Sequence, residues 1–469
     1  MHAHPESSTS WKSRGSEGSY RAIFRTWLPL ALTQLLTFGA DPVSVAVIMR
    51  LGHPVRELGS LYAYAWPLIL MLASPGLIMS TLGNVFGKNL ENLRRTRLIA
   101  LLVGVAGTLL ISLVAFSPVG TWLLLVVLDV PDSEYAMARG ALRICAVYPM
   151  LKSLCMLYQG VLIRGGRACD VLYSRMLRLI VCFAVLFGGL ETKVLDGAAL
   201  GATSIMLGLV AQFVYAWWRV GRVRSDLAAA PLDPVVVTTR RLLRFFLPLA
   251  MTPIVGCFTM LLMAAALGRL PGVIASLAVW PIVSNFNQVG ISIGKSFDQV
   301  TMKNIGNPAS QTRLFRFGLL LGLGAMLVGI GLNGSGLFAY LLSTLEDLDD
   351  DTITITCNTM WILAPMPLIY TLCAYYRGLL AHALRAVPIL IARFVALLIV
   401  GAVLLYSLGG DARAGVYAVA SATVLATCFA LLTLWIGYRW TRAKPIRDDR
   451  VIHEVAGLSQ NYVDGDPAG

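Results

Sequence analysis

Residues 146–175 read AVYPMLKSLCMLYQGVLIRGGRACDVLYSR, and a version of this stretch recurs at 364–393 as APMPLIYTLCAYYRGLLAHALRAVPILIAR. Aligned from Ala146 with Ala364 to Arg175 with Arg393, the two stretches are identical at eleven positions: Ala146, Pro149, Leu154, Cys155, Tyr158, Gly160, Leu162, Arg167, Ala168, Leu172 and Arg175 in the first copy. A second pair, TWLPLALT at 26–33 and FFLPLAMT at 245–252, has an offset that is larger by one position. Self-similarity at a fixed separation indicates a repeated structural unit. The 469-residue chain is therefore expected to consist of two related halves.

The composition indicates that both halves lie in a membrane. Hydrophobic residues make up 57% of the chain, charged residues make up 13%, and the mean hydropathy is +0.72. A soluble domain carries about 25% charged residues, so a chain of soluble domains is excluded, and the high hydrophobicity excludes disorder. A membrane-spanning helix needs about 20 mostly apolar residues. The sequence predicts about twelve such spans, at 24–50, 57–83, 97–118, 136–163, 168–190, 194–218, 242–268, 273–294, 314–338, 353–381, 384–408 and 412–438.

The basic residues predict the orientation of the chain. The two tails and the loops after the even-numbered spans hold 30 of the 38 Lys and Arg residues, and the opposite side holds seven. Basic residues concentrate on the cytoplasmic side of membrane proteins, so both termini are predicted to be cytoplasmic. The excess charge of +13 is then an orientation signal and gives no support for nucleic-acid binding. The polar N-terminus also lacks the apolar core of a cleavable signal peptide.

The predicted fold is an all-α membrane bundle of two six-helix halves. Because each half holds an even number of spans, both halves start on the same side and are related by a pseudo-two-fold axis along the membrane normal. The predicted divisions are a cytoplasmic N-tail, an N-terminal bundle, a cytoplasmic linker, a C-terminal bundle and a cytoplasmic C-tail, at 1–23, 24–218, 219–241, 242–438 and 439–469. The apolar stretch 121–130 is too short to span and is placed in the outer loop before the fourth span.

Several stretches resemble a known family. WLPLALTQLL (27–36), WLLLVVLDVPDSEYAMARGALRICAVYPM (122–150) and LPLAMTPIV (247–255) resemble the multidrug and toxin extrusion (MATE) exporters of the multidrug/oligosaccharidyl-lipid/polysaccharide flippase superfamily. LGSLYAYAWPL (58–68) with SPGLIMSTLGNVFGKN (74–89) resembles the progressive-ankylosis branch, which exports pyrophosphate and small organic anions.

The resemblance implies a V-shaped bundle and secondary active export. The expected driving force is a proton or sodium gradient, with no cofactor and no enzymatic activity. The expected partners are a small-molecule substrate and the lipid bilayer. The resemblance also implies a monomer in the plasma (inner) membrane.

Asp41 is the first candidate site residue. A carboxylate in the middle of an apolar span costs roughly 2.5–3.5 kcal/mol, and Gln34, Thr37, Asp41 and Ser44 share one helical face. This face predicts a wet cleft, with Thr37, Asp41 and Ser44 as a coupling-ion site and Gln34 lining the cleft. Pro42 is expected to free backbone carbonyls there. The alternative is a packing carboxylate paired with an arginine. In MATE exporters the first-helix aspartate lies closer to the position of Ser44.

Lys152 is the second candidate, since it lies deep in the fourth span with Arg139 and Arg143 toward the outer end. One interpretation is a cleft wall that attracts anions. The other is a lysine that pairs with Asp41 or extends along the bundle toward water.

The eighth span supplies the remaining candidates. Ser284, Gln288 and Ser292 form a polar stripe beside Asn285. With Tyr370 of the tenth span, Ser284, Asn285 and Gln288 are predicted to line the substrate cleft. The alternative is that these groups form hydrogen bonds between helices.

Two other functions stay open at this point. A lipid-linked precursor flippase would use the same fold with a more basic cleft, and a membrane-embedded transferase would need acidic or histidine clusters at an interface. The eight cysteines contain no C-x-x-C pair and the five histidines are dispersed, so no metal site is predicted. The sequence contains no P-loop that would indicate ATP as the energy source.

Overall fold

The computed structural model of the protein is helical throughout its described part and contains no strand there. It describes residues 19–48, 61, 64–87, 90–127, 130, 132–192, 195–229, 239–267, 270, 273–305, 308–345, 350–408 and 415–443.

The N-terminal half contains nine of the described helices. They are α1 (Tyr20–Ile48), α2 (Trp66–Leu77), α3 (Met79–Phe86), α4 (Leu90–Phe116), α5 (Pro118–Trp122), α6 (Asp132–Ile144), α7 (Tyr148–Arg164), α8 (Ala168–Thr192) and α9 (Gly197–Ala229).

The C-terminal half repeats this order within the described chain. Its helices are α10 (Thr239–Leu267), α11 (Val273–Lys295), α12 (Phe297–Asn304), α13 (Pro308–Gly334), α14 (Leu337–Leu345), α15 (Asp350–Leu363), α16 (Met366–His382), α17 (Val387–Leu408) and α18 (Gly415–Ala443).

The helix bounds recur at the offsets found in the sequence. The offset that aligns Ala146 with Ala364 also aligns the first and last residues of α3, α4 and α7 with those of α12, α13 and α16. The offset of the second pair, larger by one position, aligns the first and last residues of α1 with those of α10. Each of the twelve predicted spans corresponds to one helix or one broken pair. Nine described helices are long and apolar enough to cross a membrane, or ten if the bent pair α6 and α7 counts as one span. The protein is therefore an integral membrane protein of the predicted fold class.

Two predicted boundaries differ from the structure. α9 continues to Ala229 and α10 begins at Thr239, so all of the predicted linker 219–241 that the structure describes is helical. An apolar run ends where the bilayer ends, but Arg and Lys are good helix formers, so the helix itself continues. The short stretch 121–130 does not span, as predicted, because α5 and a π-helical turn at Leu123–Val127 occupy its described part.

Breaks in the spans occur at equivalent places in the two halves. α6 and α7 meet at an angle of 43°, and α7 begins with Pro149 in its first turn. α16 likewise has Pro367 in its first turn, after a break that follows α15. Proline lacks a backbone N–H, so it is tolerated in a first turn, whereas inside a helix it removes one hydrogen bond and kinks or breaks the helix. At both breaks short-range backbone hydrogen bonds close the turn, from the Tyr148 N–H to the Cys145 carbonyl at 2.9 Å and from the Ala364 N–H to the Trp361 carbonyl at 3.3 Å.

The apolar packing differs between the two ends of the molecule. At the end where α1 and α10 begin, one core joins both halves and includes Ile23, Phe86, Phe245, Phe297 and Leu434. Toward the other end the N-terminal half has a separate core and the C-terminal half has two of its own. The halves, here called the N-lobe and the C-lobe, therefore share one core at one end and have separate cores toward the other.

Candidate functional site

One face of α7 carries polar groups into the interior of the N-lobe. Tyr148, Lys152, Cys155 and Gln159 follow a spacing that places them on one side of a helix. Lys152 is only 6% exposed, and Tyr148 is 2% exposed with its ring 5.4 Å from that of Trp66 on α2. The Gln159 amide donates a hydrogen bond to the Ser174 hydroxyl of α8, with a distance of 3.4 Å between the atoms. Lys152 therefore lies in the interior of the N-lobe, and its predicted place in a substrate cleft stays a prediction.

Two arginines of α8 lie beside Lys152. Arg175 and Arg178 are close enough for their charges to repel the Lys152 ammonium. Arg178 hydrogen-bonds Cys182, whose thiol donates to the Ser204 carbonyl of α9 at 3.1 Å. None of the carboxylates among the described side chains forms an ion pair with these three cations. We call Lys152, Arg175, Arg178 and the neighbouring Gln212 the N-lobe cluster.

The side-chain amide of Gln212 on α9 belongs to this cluster and lacks hydrogen-bond partners in the described structure. Gly208, one turn earlier on α9, is so close to α8 that an added Cβ would lie 2.3 Å from the Cys182 sulfur and 3.1 Å from Arg178 Cγ. Gln212 shares this face of α9 and is fully buried. Its Oε1 and Nε2, like the Arg175 Nε, have no hydrogen-bond partner in the described structure. Buried polar groups are normally paired, so these atoms of the N-lobe cluster are exceptions within the described structure.

The C-lobe holds a second basic cluster, formed by Lys295, Tyr370, Arg377, Arg393 and Asp298. The Arg377 guanidinium lies 5.0 Å from the Tyr370 ring centroid and hydrogen-bonds this residue. The charges of Lys295 and Arg393 also act on Tyr370. Unlike the N-lobe cluster, this one contains an acid, since the Asp298 carboxylate lies near Arg377. We call these five residues the C-lobe cluster.

The two clusters are related by the repeat. The alignment of the two halves that pairs Ala146 with Ala364 also pairs Lys152 with Tyr370 and Arg175 with Arg393. Each cluster contains three cations, and the described part of the two clusters contains one carboxylate, from Asp298. Both lobes therefore present a strongly basic interior at equivalent depth.

The structure describes the predicted coupling-ion site only in part. Thr37, Asp41 and Ser44 lie on α1, which runs through Pro42 to Ile48. Their side chains lie outside the described part of the structure. Gln34, one turn earlier, is half-buried.

Two of the predicted cleft residues, Gln288 and Tyr370, both interact with Lys295, which was not predicted as a site residue. The Lys295 ammonium donates a hydrogen bond to Gln288 Oε1, and its charge acts on Tyr370. Ser284 is half-buried and Asn285 is exposed. On the polar stripe of α11, Ser292 is buried and donates to the Val289 carbonyl at 2.6 Å.

Arg139 and Arg143 do not join the N-lobe cluster. Both guanidinium groups donate to the Ala115 carbonyl near the end of α4, and Arg139 also donates to the Ser117 carbonyl. Cations at a helix C-terminus satisfy its free carbonyls. These arginines therefore cap α4 at the outer end.

All the cluster cations except Lys152 were counted with the cytoplasmic loops, although the predicted spans 168–190, 353–381 and 384–408 include four of them. Arg175 and Arg178 instead lie within α8, Lys295 ends α11, and Arg377 and Arg393 lie within α16 and α17. The recurrence of Arg175 as Arg393 was the available signal, because a loop charge has little reason to recur at a fixed helical depth. Gln212 and Asp298 had no comparable signal. In the described chain no group of His, Cys, Asp and Glu could hold a metal ion.

Solved structures of membrane transporters share this architecture. The chain matches the outward-facing conformation of a multidrug resistance MATE family transporter of the MOP superfamily with a TM-score of 0.69 and 13% identity, over 90% of this chain and 95% of that one. The fold is that of the MATE transporters. A mutant MATE transporter from Vibrio cholerae has the same MATE fold, with a TM-score of 0.68 and 13% identity over 90% of this chain and 97% of that one.

A third structure with the MATE fold is described in terms of its pocket. It is a MOP superfamily transporter from Pyrococcus furiosus, and the match has a TM-score of 0.70 and 13% identity over 90% of this chain and 95% of that one. Its description states that reverse polarity of the binding pocket suggests a different function.

The sequence family profile of progressive ankylosis protein (ANKH) matches residues 12–205. No curated protein matches the sequence. The resemblance inferred from the sequence is thus confirmed for the MATE fold over both halves and for the progressive-ankylosis branch over most of the N-terminal half.

Proposed function

We propose that the protein is a secondary active transporter that exports a small anionic organic substrate from the cytoplasm by alternating access. The MATE fold supports transport, and the solved structures that share it are of transporters, in agreement with the prediction that the chain is not an enzyme. The two lobes share a core at the end where α1 begins and have separate cores toward the other end. This arrangement suits a cleft that opens on one side of the membrane at a time.

The observation that carries the anionic preference is the N-lobe cluster. Lys152 is buried beside Arg175 and Arg178, and no described carboxylate compensates the three charges. A buried cation without a partner is strongly unfavourable, and ionisable groups inside a membrane usually mark a substrate or ion pathway. An anionic substrate would supply the missing negative charge. The transporter with the reverse-polarity pocket is a precedent for changing substrate charge within this fold.

Coupling to a gradient is assigned to α1. This helix carries Asp41 and packs along α8, the helix that carries Arg175 and Arg178. Binding of a proton or sodium ion near Asp41, with Ser44 and Thr37, would then act on the helix that contacts the substrate. Coupling requires that the ion bind one state of the protein more tightly than the other. In this mechanism the protein is a monomer in the plasma (inner) membrane with both termini cytoplasmic, and the ion gradient is the energy source.

The anionic preference is tested by replacing Lys152 in purified protein reconstituted into liposomes. Loss of one charge-assisted contact of about 1.5–3 kcal/mol should reduce uptake of radiolabelled pyrophosphate and citrate by about tenfold or more in Lys152→Ala. Arg143→Ala is the matched control, since Arg143 caps α4 outside the cluster, and it should keep wild-type uptake. Wild-type anion uptake by Lys152→Ala, or faster uptake of organic cations than of anions by the native protein, would contradict the proposal.

The proposed coupling role of Asp41 is tested by a separate transport measurement. Asp41→Asn should abolish gradient-driven accumulation and leave exchange of labelled for unlabelled anion across the liposome membrane. Accumulation at the native level in this variant would remove Asp41 from the mechanism. Translocation of a lipid-linked probe without uptake of free anions would favour the flippase instead.

A further inference from the structure

The short helices α3 and α12 meet where the two lobes join. They occupy equivalent positions in the repeat, at Met79–Phe86 and Phe297–Asn304. Asn84 Nδ2 donates to Gln299 Oε1 at 2.9 Å and to the Gln299 carbonyl at 3.1 Å. Gln299 Nε2 in turn donates to the hydroxyls of Ser80 and Thr81, each at 3.4 Å. We call these four residues the latch.

Each side of the latch is fixed to its own lobe by close glycine packing. A Cβ on Gly160 of α7 would lie 2.1 Å from the Ser80 carbonyl oxygen. In the C-lobe, a Cβ on the equivalent Gly378 of α16 would lie 2.6 Å from Thr301 Cβ and 2.8 Å from the Asp298 carbonyl oxygen. α3 therefore moves with α7, and α12 moves with α16. Hydrogen bonds between the two short helices can break without disturbing either lobe.

Asp298 connects the latch to the C-lobe cluster. Its carboxylate accepts a hydrogen bond from the backbone N–H of Gln299 at 2.8 Å. The same carboxylate lies near the guanidinium of Arg377, which is adjacent in sequence to Gly378. Asp298 thus belongs to the first turn of the helix that carries the latch, and its charge acts on the cation that an anionic substrate would seek.

From this arrangement we infer that Asp298 is a positioning residue that transmits occupancy of the C-lobe cluster to the latch. An anion bound at Arg377 and Lys295 competes with the Asp298 carboxylate for the charge of Arg377. The carboxylate that accepts the Gln299 N–H then shifts while α12 stays packed on α16, Gln299 shifts with it, and the Asn84–Gln299 contact weakens. The inference rests on the proposed anion transport, since it requires an anion to enter the cluster.

Removing the charge at position 298 should strengthen anion binding and abolish the movement of the lobes that the anion causes. In Asp298→Asn, Arg377 loses its competing carboxylate, so an anion should bind about fivefold more tightly, as expected for loss of about 1 kcal/mol of competing interaction. The lobes should nevertheless fail to respond to the anion. A purely structural role for Asp298 would weaken binding and stability together and would not give tighter binding with a lost response.

The response can be measured as a distance between the lobes. Leu98 on α4 and Arg316 on α13 are exposed and lie at equivalent positions near the packed end. Spin labels on Leu98→Cys and Arg316→Cys report the separation, in a background where the four cysteines that are not buried, at 169, 257, 357 and 428, are serine. Pyrophosphate is the probe, and its dissociation constant is measured on the same samples.

In the native background, pyrophosphate should increase the fraction of molecules with the longer distance. Gln299→Ala should show the longer distance without the probe, Asp298→Asn should bind the probe more tightly without a change in distance, and Asp298→Glu should restore the response. Asp170→Asn is the matched control, because Asp170 is a buried acid that pairs with Arg219 at 2.9 Å in the N-lobe, away from the latch. This control should respond as the native protein does.

Two results would overturn the inference, and both differ from failure of the proposed function. One is a native distance response in Asp298→Asn, and the other is weaker binding in this variant. If the native protein neither binds nor transports pyrophosphate or citrate, the proposed anion transport fails first. Native binding and transport with an unaltered Asp298→Asn response would reject only the role of Asp298.

Discussion

Gln212 is a fully buried side chain whose two polar amide atoms have no partner in the described structure. An unsatisfied buried amide costs about 1–3 kcal/mol, so an apolar residue of similar volume should relieve this cost. We expect Gln212→Leu to raise the free energy of unfolding by about 1 kcal/mol and to lower anion uptake, because the amide faces the N-lobe cluster. Thermal unfolding in detergent and uptake into liposomes measure the two effects.

Gln159→Leu is the comparison for that experiment. The Gln159 amide bonds the Ser174 hydroxyl, so its loss removes a satisfied contact and should lower stability. A Gln212→Leu protein that is less stable than the native one would show that the amide has a partner in solution, and the interpretation of an open polar site would be wrong.

Single residues also show why the site was only partly predictable. Lys152 was identifiable because it stands alone inside an apolar run. Arg175 and Arg178 lie in the first three turns of α8, and the same charges near the start of a span are typical of a cytoplasmic loop. Hydropathy along the sequence cannot distinguish a charged side chain that extends to water from one that points into the lobe. Packing against α7 and α9 decides this, and packing is a property of the folded chain.

At the scale of helices, the glycines of α7 and α16 determine how closely the elements approach. A methyl group at position 160 would lie 2.1 Å from the Ser80 carbonyl oxygen and 2.9 Å from the Asn84 backbone nitrogen. Backbone atoms cannot move aside as a side chain can. We therefore expect Gly160→Ala to lower the free energy of unfolding by about 1–3 kcal/mol, measured by thermal unfolding.

The control for this prediction is a glycine in an open position. No atom lies within 4 Å of a Cβ built on Gly324 of α13, so Gly324→Ala should preserve stability or raise it by up to about 1 kcal/mol through helix propensity. Equal effects of the two substitutions would contradict the close approach of α3 and α7.

The elements themselves were largely predictable, and their breaks were not. Apolar runs long enough to span a bilayer require helices there because every backbone group must be paired internally. Residues 145–147, between α6 and α7, are as apolar as their neighbours. Only Pro149 hinted at the break there, and a proline is also compatible with a continuous, kinked helix. The bend is set by how the two helices pack against the rest of the N-lobe.

For the whole molecule, the unequal packing of the two ends indicates two bodies that move relative to one another. Lobes with separate cores at one end can part there without losing their internal packing. The contacts at the joined end combine apolar surfaces, such as Phe86 against Phe245 with ring centroids 5.7 Å apart, with the hydrogen bonds of the latch. Because lipid is as apolar as the core, helices in a membrane associate through close packing and polar contacts rather than through a hydrophobic driving force.

This division predicts that the chain can be cut between the lobes. Co-expression of residues 1–234 and 235–469 should give two fragments that copurify from membranes and retain anion uptake, because the shared core and the latch join them without the connecting segment. Cutting the chain lowers the effective concentration of one lobe for the other, so uptake should fall in proportion to incomplete assembly. A tag on one fragment and quantification of the other measure assembly, and uptake is compared per assembled pair.

Each fragment expressed alone should insert in the membrane without transporting. Fragments that insert but never copurify would show that the lobes depend on the covalent connection, and a lobe that transports alone would contradict a mechanism based on a cleft between two halves.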